Sequence, residues 1–265
     1  MPILLELVHE AKVSRRFSMC TAIILRRPKH SWPLLLAANR DEMIDRKWDI
    51  PARHWPDRPY ITAGRDRFAD GSWLGINDSG VTSMVLNRTN SLGPKLDKRS
   101  RGELVLESLD FSNAPEAAKA LEDINPDAYR SFNLIVADAE LAFWIRHDGY
   151  NKPTVNLIPD GLSMITSNDL NDKLCPRINY HLSRFSSAPP PDLSSGDIFS
   201  WEVLLADQSQ KSRPSLQEAA ICLSPENGFG TVSSSIIGIP NTNSNSPPTF
   251  LFANGAPGTI NFAQI

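Results

Sequence analysis

The sequence predicts an α+β fold built in layers. Three observations carry this: strand-like runs open the chain as hairpins, helical periodicities gather in its middle, and strand-like runs return at its end. Strands and helices do not alternate singly, as they would in βαβ units, and no internal repeat is visible.

"CTAIILRR" and "PLLLAANR" are apolar β-type runs joined by "PKHSW", and they read as a hairpin. "PARHWPDRPYITAGRD", rich in Pro and Trp, reads as irregular structure. "SWLGINDSGVTSMVLN" gives two short strands about the turn "NDSG". Helical spacing follows in "SRGELVLESL" and "APEAAKALEDI". The second has Asn113 as N-cap, Ala114 at the first helical position and Pro115 in the first turn. "FNLIVADAELAFWIRHDG" is a hairpin turning at "ADAE", and "TVNLIPDGLSMITSN" another, turning at "PDG". The helices "LCPRINYHLSRF" and "DIFSWEVLLA" flank the polar "SSAPPPDLSSGD", which reads as a loop rather than a domain boundary. "FGTVSSSIIGIP" and "TFLFANG", on either side of "NTNSNSPP", close the chain with strands.

A hydrophobic content of 41% in 265 residues supports a sizeable core, and a net charge of −3 leaves no electrostatic footprint for nucleic acid. Cys20, Cys175 and Cys222 form no CxxC pair, which argues against a disulfide framework or zinc site and for a reducing, cytoplasmic setting. The five histidines show no metal-ligand spacing, so no metal is expected. No run approaches the roughly 18 apolar residues of a membrane helix.

Residues 1–18, "MPILLELVHEAKVSRRFS", stand apart from a single domain over 19–265. Glu6, His9 and Glu10 interrupt what a secretory signal would need as an apolar stretch. "SRRFS" has a faintly mitochondrial character that the glutamates oppose. A start codon placed too far upstream, a removable propeptide and a short native helix all fit this segment.

The chemistry centres on "MC" at Met19 and Cys20. Trimming the chain to Cys20 would put a thiol and a free α-amine on one residue. Their ordinary pKa values, about 8.5 and about 8, let the amine take the thiol's proton near neutrality. "AANRDE" then delivers Asn39, Arg40, Asp41 and Glu42 at the end of the second strand, and in a hairpin that end lies beside Cys20. A cation and a carboxylate there would orient the amine, hold substrate and lower the thiol pKa. A solvated strand end would look the same. Asn87 and Asn168 each end a strand; they read as turn residues or as donors to an oxyanion. Asn39, Glu42 and Trp73 of "GSWLG" are candidates for contacting substrate. Cys175-Pro176 is a dipeptide sometimes associated with haem ligation and, here, a weak pointer.

The ordered series "MCTAIILRR", "PLLLAANRDE", "PARHW", "AGRD", "GSWLGI", "RGELV", "FNLIVAD", "LSMITSN" and "FGTVSSSIIGI" resembles the NRDE family, also called the transport and Golgi organisation protein 2 family, from Met19 to about Pro240. That family is similar to the N-terminal-nucleophile hydrolases, which implies a four-layer αββα sandwich with two stacked antiparallel sheets. A more distant similarity to bile salt hydrolases and penicillin V acylases implies Cys20 as nucleophile and Arg40 and Asp41 as its companions. It further implies Asn87 as an oxyanion donor through its backbone N–H and Asn168 through its side-chain amide. The order of Asn39 and Arg40 differs from theirs, their later arginine has no counterpart, and Val232 stands where many relatives carry Arg. The resemblance leaves three roles open: a cofactor-free amidohydrolase for a small-molecule acyl amide, a carrier with haem as cargo, or an interaction module. Both of the first two would use the same pocket. The side chains of all five candidate catalytic residues, Cys20, Arg40, Asp41, Asn87 and Asn168, should converge within a single cleft.

Overall fold

The computed structural model describes residues 20–208, 218–244 and 246–265. The segment 1–18, with the three readings it admits, lies outside the described residues.

The elements in chain order are β1 (Thr21–Arg26), β2 (Leu34–Met43), β3 (Trp48–Ala52), β4 (Ile61–Asp66), β5 (Leu74–Asn77) and β6 (Thr82–Asn87), then α1 (Gly102–Leu109) and α2 (Ala114–Glu122). They continue with β7 (Phe132–Ala137), β8 (Ala142–His147), β9 (Thr154–Leu157) and β10 (Gly161–Ile165), then α3 (Pro176–Ser187) and α4 (Phe199–Leu205). β11 (Phe229–Ile239), β12 (Thr249–Ala253) and β13 (Ala263–Gln264) complete the chain. One sheet has the order β10-β1-β2-β11-β12-β13, the other runs β3 to β9 in sequence, and every strand pairing is antiparallel.

Strand alternation sorts the side chains into three interfaces. Ala22, Ile24, Leu34, Leu36, Ala38, Met84, Leu86 and Ile135 pack between the sheets. Ile23 and Ala37, one position out of phase, face α3 and α4 with Ile178, Phe185 and Trp201. Phe132, Leu134 and Val136 face α1 and α2. Each fully buried aliphatic side chain contributes about 1.5–3 kcal/mol, so both faces of each sheet need a covering layer. The result is the αββα sandwich that the resemblance implied.

The helices start where the sequence placed them. Asn113 caps α2 by accepting from the Glu116 N–H at 2.9 Å, and Pro176 occupies the first turn of α3.

Two readings are corrected. "PARHWPDRPYITAGRD" is not irregular throughout: it contributes Pro51 and Ala52 to β3 and all of β4. Pro51 is tolerated because β3 is an edge strand whose pairing shifts between Asp49 and Ala52. "TVNLIPDGLSMITSN" is not a hairpin. β9 is the edge of one sheet, pairing with β8, and β10 is the edge of the other, pairing with β1. The chain crosses between sheets at residues 158–160, where Arg26 Nη1 holds the Ile158 carbonyl at 2.8 Å and Asp160 Oδ1 at 2.9 Å. Local sequence cannot distinguish such a crossing from a turn. No helix among the described residues is long and apolar enough to cross a membrane.

Candidate functional site

Cys20 stands immediately before β1. Thr21 pairs with Asn39, so continuing the register by one places Cys20 opposite Arg40. On the other side, Ala22 pairs with Ile165, and continuing by two places Cys20 opposite Ser167. Alternation turns Cys20 and Arg40 toward the space between the sheets, where both Cys20 and Trp73 pack against the core. The thiol is held by the peptide of Asp41: Sγ accepts from the N–H at 3.4 Å and lies 3.5 Å from the carbonyl oxygen.

Burial pushes the Cys20 thiol up to about 12, and the charges of Asp41 and Glu42 add to the rise. The Asp41 N–H and Arg40 oppose it without prevailing. With a peptide bond at its nitrogen, this thiol is therefore neutral at pH 7.

Asn39, Arg40 and Asp41 occupy one strand but not one face. Asn39 is fully buried against the helices, donating to the Leu205 and Ile221 carbonyls at 2.9 Å each and accepting from Ser234 Oγ at 2.7 Å. It does not line the cleft. Asp41 likewise points to the helix side, so the expected convergence of all five side chains in one cleft fails: the period of two along β2 sends Asp41 to the face opposite that of Arg40 and Cys20. Its Oδ2 meets Arg177 Nη1 at 3.2 Å, and its Oδ1 accepts from Thr231 Oγ1 at 2.6 Å. The same Arg177 nitrogen donates to Thr21 Oγ1 at 2.7 Å. Burial pushes the Asp41 carboxyl up to about 6 despite Arg177 and Thr231, so it is ionised at neutral pH. Val232 is the extra residue where the β2–β11 register shifts between Thr231 and Ser233.

Arg40 has its guanidinium 4.2 Å from the Trp73 ring centre and 5.7 Å from that of Trp48. Glu42 Oε2 lies 3.4 Å from Arg40 Nη2 and 3.7 Å from Arg46 Nε. Trp73 and Glu42 thus both bear on Arg40, and Arg40 on Cys20.

Asn87 and Asn168, on different sheets, are brought to the same end. Just beyond β6, the Thr89 N–H donates to the Ser167 carbonyl at 3.3 Å, bridging the sheets beside Asn168. Asn168 Nδ2 donates to Asp172 Oδ2 at 2.9 Å, which uses one of its two amide hydrogens. Met84 and Leu86 face between the sheets, so alternation turns the Asn87 side chain away from the space between them. A cavity of about 330 Å³ opens here, lined by Arg88, Thr89, Ser167, Asn168, Asp169 and Asp172 among others. Cys20 is not in its lining; it stands one strand further in.

Asn133 and Arg177 are the residues that sequence reasoning missed. Asn133, fully buried on β7, accepts from Arg88 Nη1 at 2.7 Å and Trp144 Nε1 at 3.0 Å, and donates to the Thr166 and Asn168 carbonyls at 2.9 and 2.7 Å. Its only signal was a polar residue inside the apolar run "FNLIVA". Arg177 sat unremarked beside Cys175-Pro176. Cys175 itself is buried, 3.4 Å from Thr166 Oγ1. Among the described residues no group of three or more His, Cys, Asp or Glu could hold a metal ion.

The family model for Transport and Golgi organisation 2 matches residues 19–246. A human Transport and Golgi organization protein 2 homolog is 29% identical over 238 residues, covering 79% of this chain and 83% of its own length. The cattle homolog is 35% identical over 120 residues, 42% of this chain and 40% of its own. Among solved structures, an arginine-to-leucine variant of conjugated bile acid hydrolase from Clostridium perfringens is similar, with TM-score 0.54 at 13% identity over 92% of each chain. A cysteine-to-alanine mutant of that hydrolase gives 0.51 at 12% identity, over 93% of this chain and 92% of its own. Likeness at such identity is one of fold.

Proposed function

The chain belongs to the Transport and Golgi organisation 2 family, and from that premise we propose that it is a cysteine amidohydrolase whose nucleophile, Cys20, becomes competent when its own α-amine is free. The observation that carries the reading is the setting of Sγ: fixed by the Asp41 peptide, opposite Arg40, at the end of the sheets where the Asn87 and Asn168 segments meet.

The reaction follows from those placements. The α-amine accepts the thiol proton and the thiolate attacks the amide carbonyl. Negative charge then develops on the carbonyl oxygen, and the donors assigned to it are the Asn87 backbone N–H and the second Asn168 amide hydrogen. The ammonium returns its proton to the departing nitrogen, leaving a thioester, and water delivered by the amine releases the acid and restores the thiol. A thiol near 12 yields its proton to an amine near 8 at a cost of about 5 kcal/mol. The ammonium so formed, on the same residue, offsets part of that cost; Arg40 is already included in the value near 12. While the chain before Cys20 remains attached, its nitrogen is a peptide nitrogen and has no such basicity.

Turnover of an acyl-amide library should be seen only with protein whose intact mass corresponds to a chain starting at Cys20. It should drop by several orders of magnitude in C20A and substantially in C20S. Haem carriage makes the opposite prediction in the same samples: saturable haem absorption shifts that survive C20A, with no amide cleaved by wild type. That pair of results would refute the hydrolase.

A further inference from the structure

Arg40 is only 6% exposed, and its charge is incompletely matched. Nη2 reaches Glu42 Oε2 at 3.4 Å, but that carboxylate is shared with Arg46, and its other oxygen accepts from the Met43 N–H at 2.9 Å. Nη1 is buried and has no hydrogen-bond partner among the described residues. A buried donor left unpaired is costly, more so on a cation, and native proteins keep few. Nothing about this arginine is slack. Its guanidinium carbon sits over the Trp73 ring, 4.2 Å from the ring centre, and Gly64 makes room for that indole, since a Cβ at Gly64 would fall on the ring. The guanidinium is therefore held between Trp73 and Glu42 with its Nη1 unspent. Arg101 and Arg46 add positive charge to the neighbourhood: Arg101 is influenced by Glu42, Arg46 and Cys20 together.

Cross-strand neighbours on one face have their Cβ atoms about 4.5–5.5 Å apart, so Arg40 and Cys20 open on the same space between the sheets, and the Arg40 charge acts on the thiol. A rigid guanidinium edge matches a planar carboxylate better than any neutral acceptor. We propose that Arg40 Nη1 anchors a carboxylate of the substrate, so that the amides taken carry a carboxylate within two or three bonds of the carbonyl that Cys20 attacks. The substrate assignment rests on the hydrolase reading; the anion site does not.

Iodoacetate and iodoacetamide test it, because they differ in charge and hardly in shape. Both alkylate the same thiolate, so the ratio of their rates at Cys20 is independent of the thiol pKa. The ratio is read by mass spectrometry of the Cys20 peptide in the full-length protein and compared with that of glutathione. It should exceed the glutathione ratio by about tenfold, the equivalent of one charge-assisted hydrogen bond. In R40Q the excess should vanish, and in R40K it should fall between. A wild-type ratio equal to that of glutathione overturns the proposal whether or not any variant folds. Should both reagents leave Cys20 untouched, calorimetric titration with N-acetylglycine and N-acetylglycinamide decides. Binding of the acid alone, lost in R40Q, supports the anchor; equal binding of both, or of neither, overturns it. A raised ratio in a protein that cleaves no amide keeps the anion site and removes the hydrolase. Amide turnover with an ordinary ratio removes only the anchor.

Discussion

Replacing Asn133 by Leu tests the claim that one buried amide ties the two sheets together at the candidate site. Its four hydrogen bonds, two accepted and two donated, all lie between 2.7 and 3.0 Å and all reach other elements or the segment after β10. Removing a bond of this kind costs about 1 kcal/mol net, more where the abandoned partner cannot reach water. Arg88 keeps Asp169, at 2.7 Å, so its loss is partial; the Thr166 carbonyl is buried and has no such reserve. The sum is about 4 kcal/mol, since Leu preserves volume and opens no cavity. For a domain of this size that lowers Tm by roughly 8–16 °C at 2–4 °C per kcal/mol. Calorimetry supplies the Tm, and urea unfolding the free energy. Amide exchange should also quicken in residues 166–169 more than in β11. A loss below about 1 kcal/mol, or exchange unchanged around Asn168, would refute the idea that this amide holds the strand ends together.

Arg177→Met should destabilise by about 3–5 kcal/mol, because it leaves Asp41 charged and buried without its cation. Adding D41N should return part of that loss, seen as coupling in a double-mutant cycle by urea unfolding. Asp41 titrates near 6 when folded and near 3.8 when unfolded, so between those values the folded chain binds the extra proton and stability falls as pH rises. His181, held down to about 4 by burial first, acts in the opposite sense over the same range. The Asp41 contribution is therefore read as the wild-type slope minus the D41N slope, and a difference that is zero or positive would contradict it. With the thiol near 12, about one Cys20 in 10⁵ is ionised at pH 7 while the chain before it is attached. On the ionised fraction alone, alkylation by iodoacetamide should then be roughly three thousand times slower than for a free cysteine of pKa about 8.5, and should climb tenfold per pH unit past pH 9. Gly64→Ala should cost about 1–3 kcal/mol by overpacking against Trp73, and a crystal structure should show that indole displaced from Arg40.

The layered fold and most element positions were legible because they rest on local signals: apolar alternation, "NDSG" and "ADAE" turns, the Asn113 cap. What failed was non-local. Whether "IPDG" turns a hairpin or carries the chain to another sheet is decided by where β8 and β1 leave open edges, and Arg26 holds that crossing from far away in sequence. At the site, the juxtaposition of Cys20 with the Asp41 peptide follows from a hairpin and was readable. The division of Asn39, Arg40 and Asp41 between two faces was readable too, from the period of two, yet the tetrapeptide invites being taken as one cluster. Arg177 was not legible, since nothing in its neighbours marks a side chain that will be wholly enclosed, and Asn133 showed only as a polar residue inside an apolar run, with no sign of its partners.

The alternation along β2 has a consequence for genetics. Three adjacent codons answer to two different demands. Changes at Asn39 or Asp41 strike the seam between sheet and helices and should deplete the protein itself, whatever the assay. Changes at Arg40 fall between the sheets, where the cation already lacks a full set of partners, and should leave abundant protein that does nothing. A scan of this motif scored by growth alone would report one uniform block of intolerance. The same scan scored by protein abundance would split it into two outer losses around a silent centre, and only that centre speaks about function.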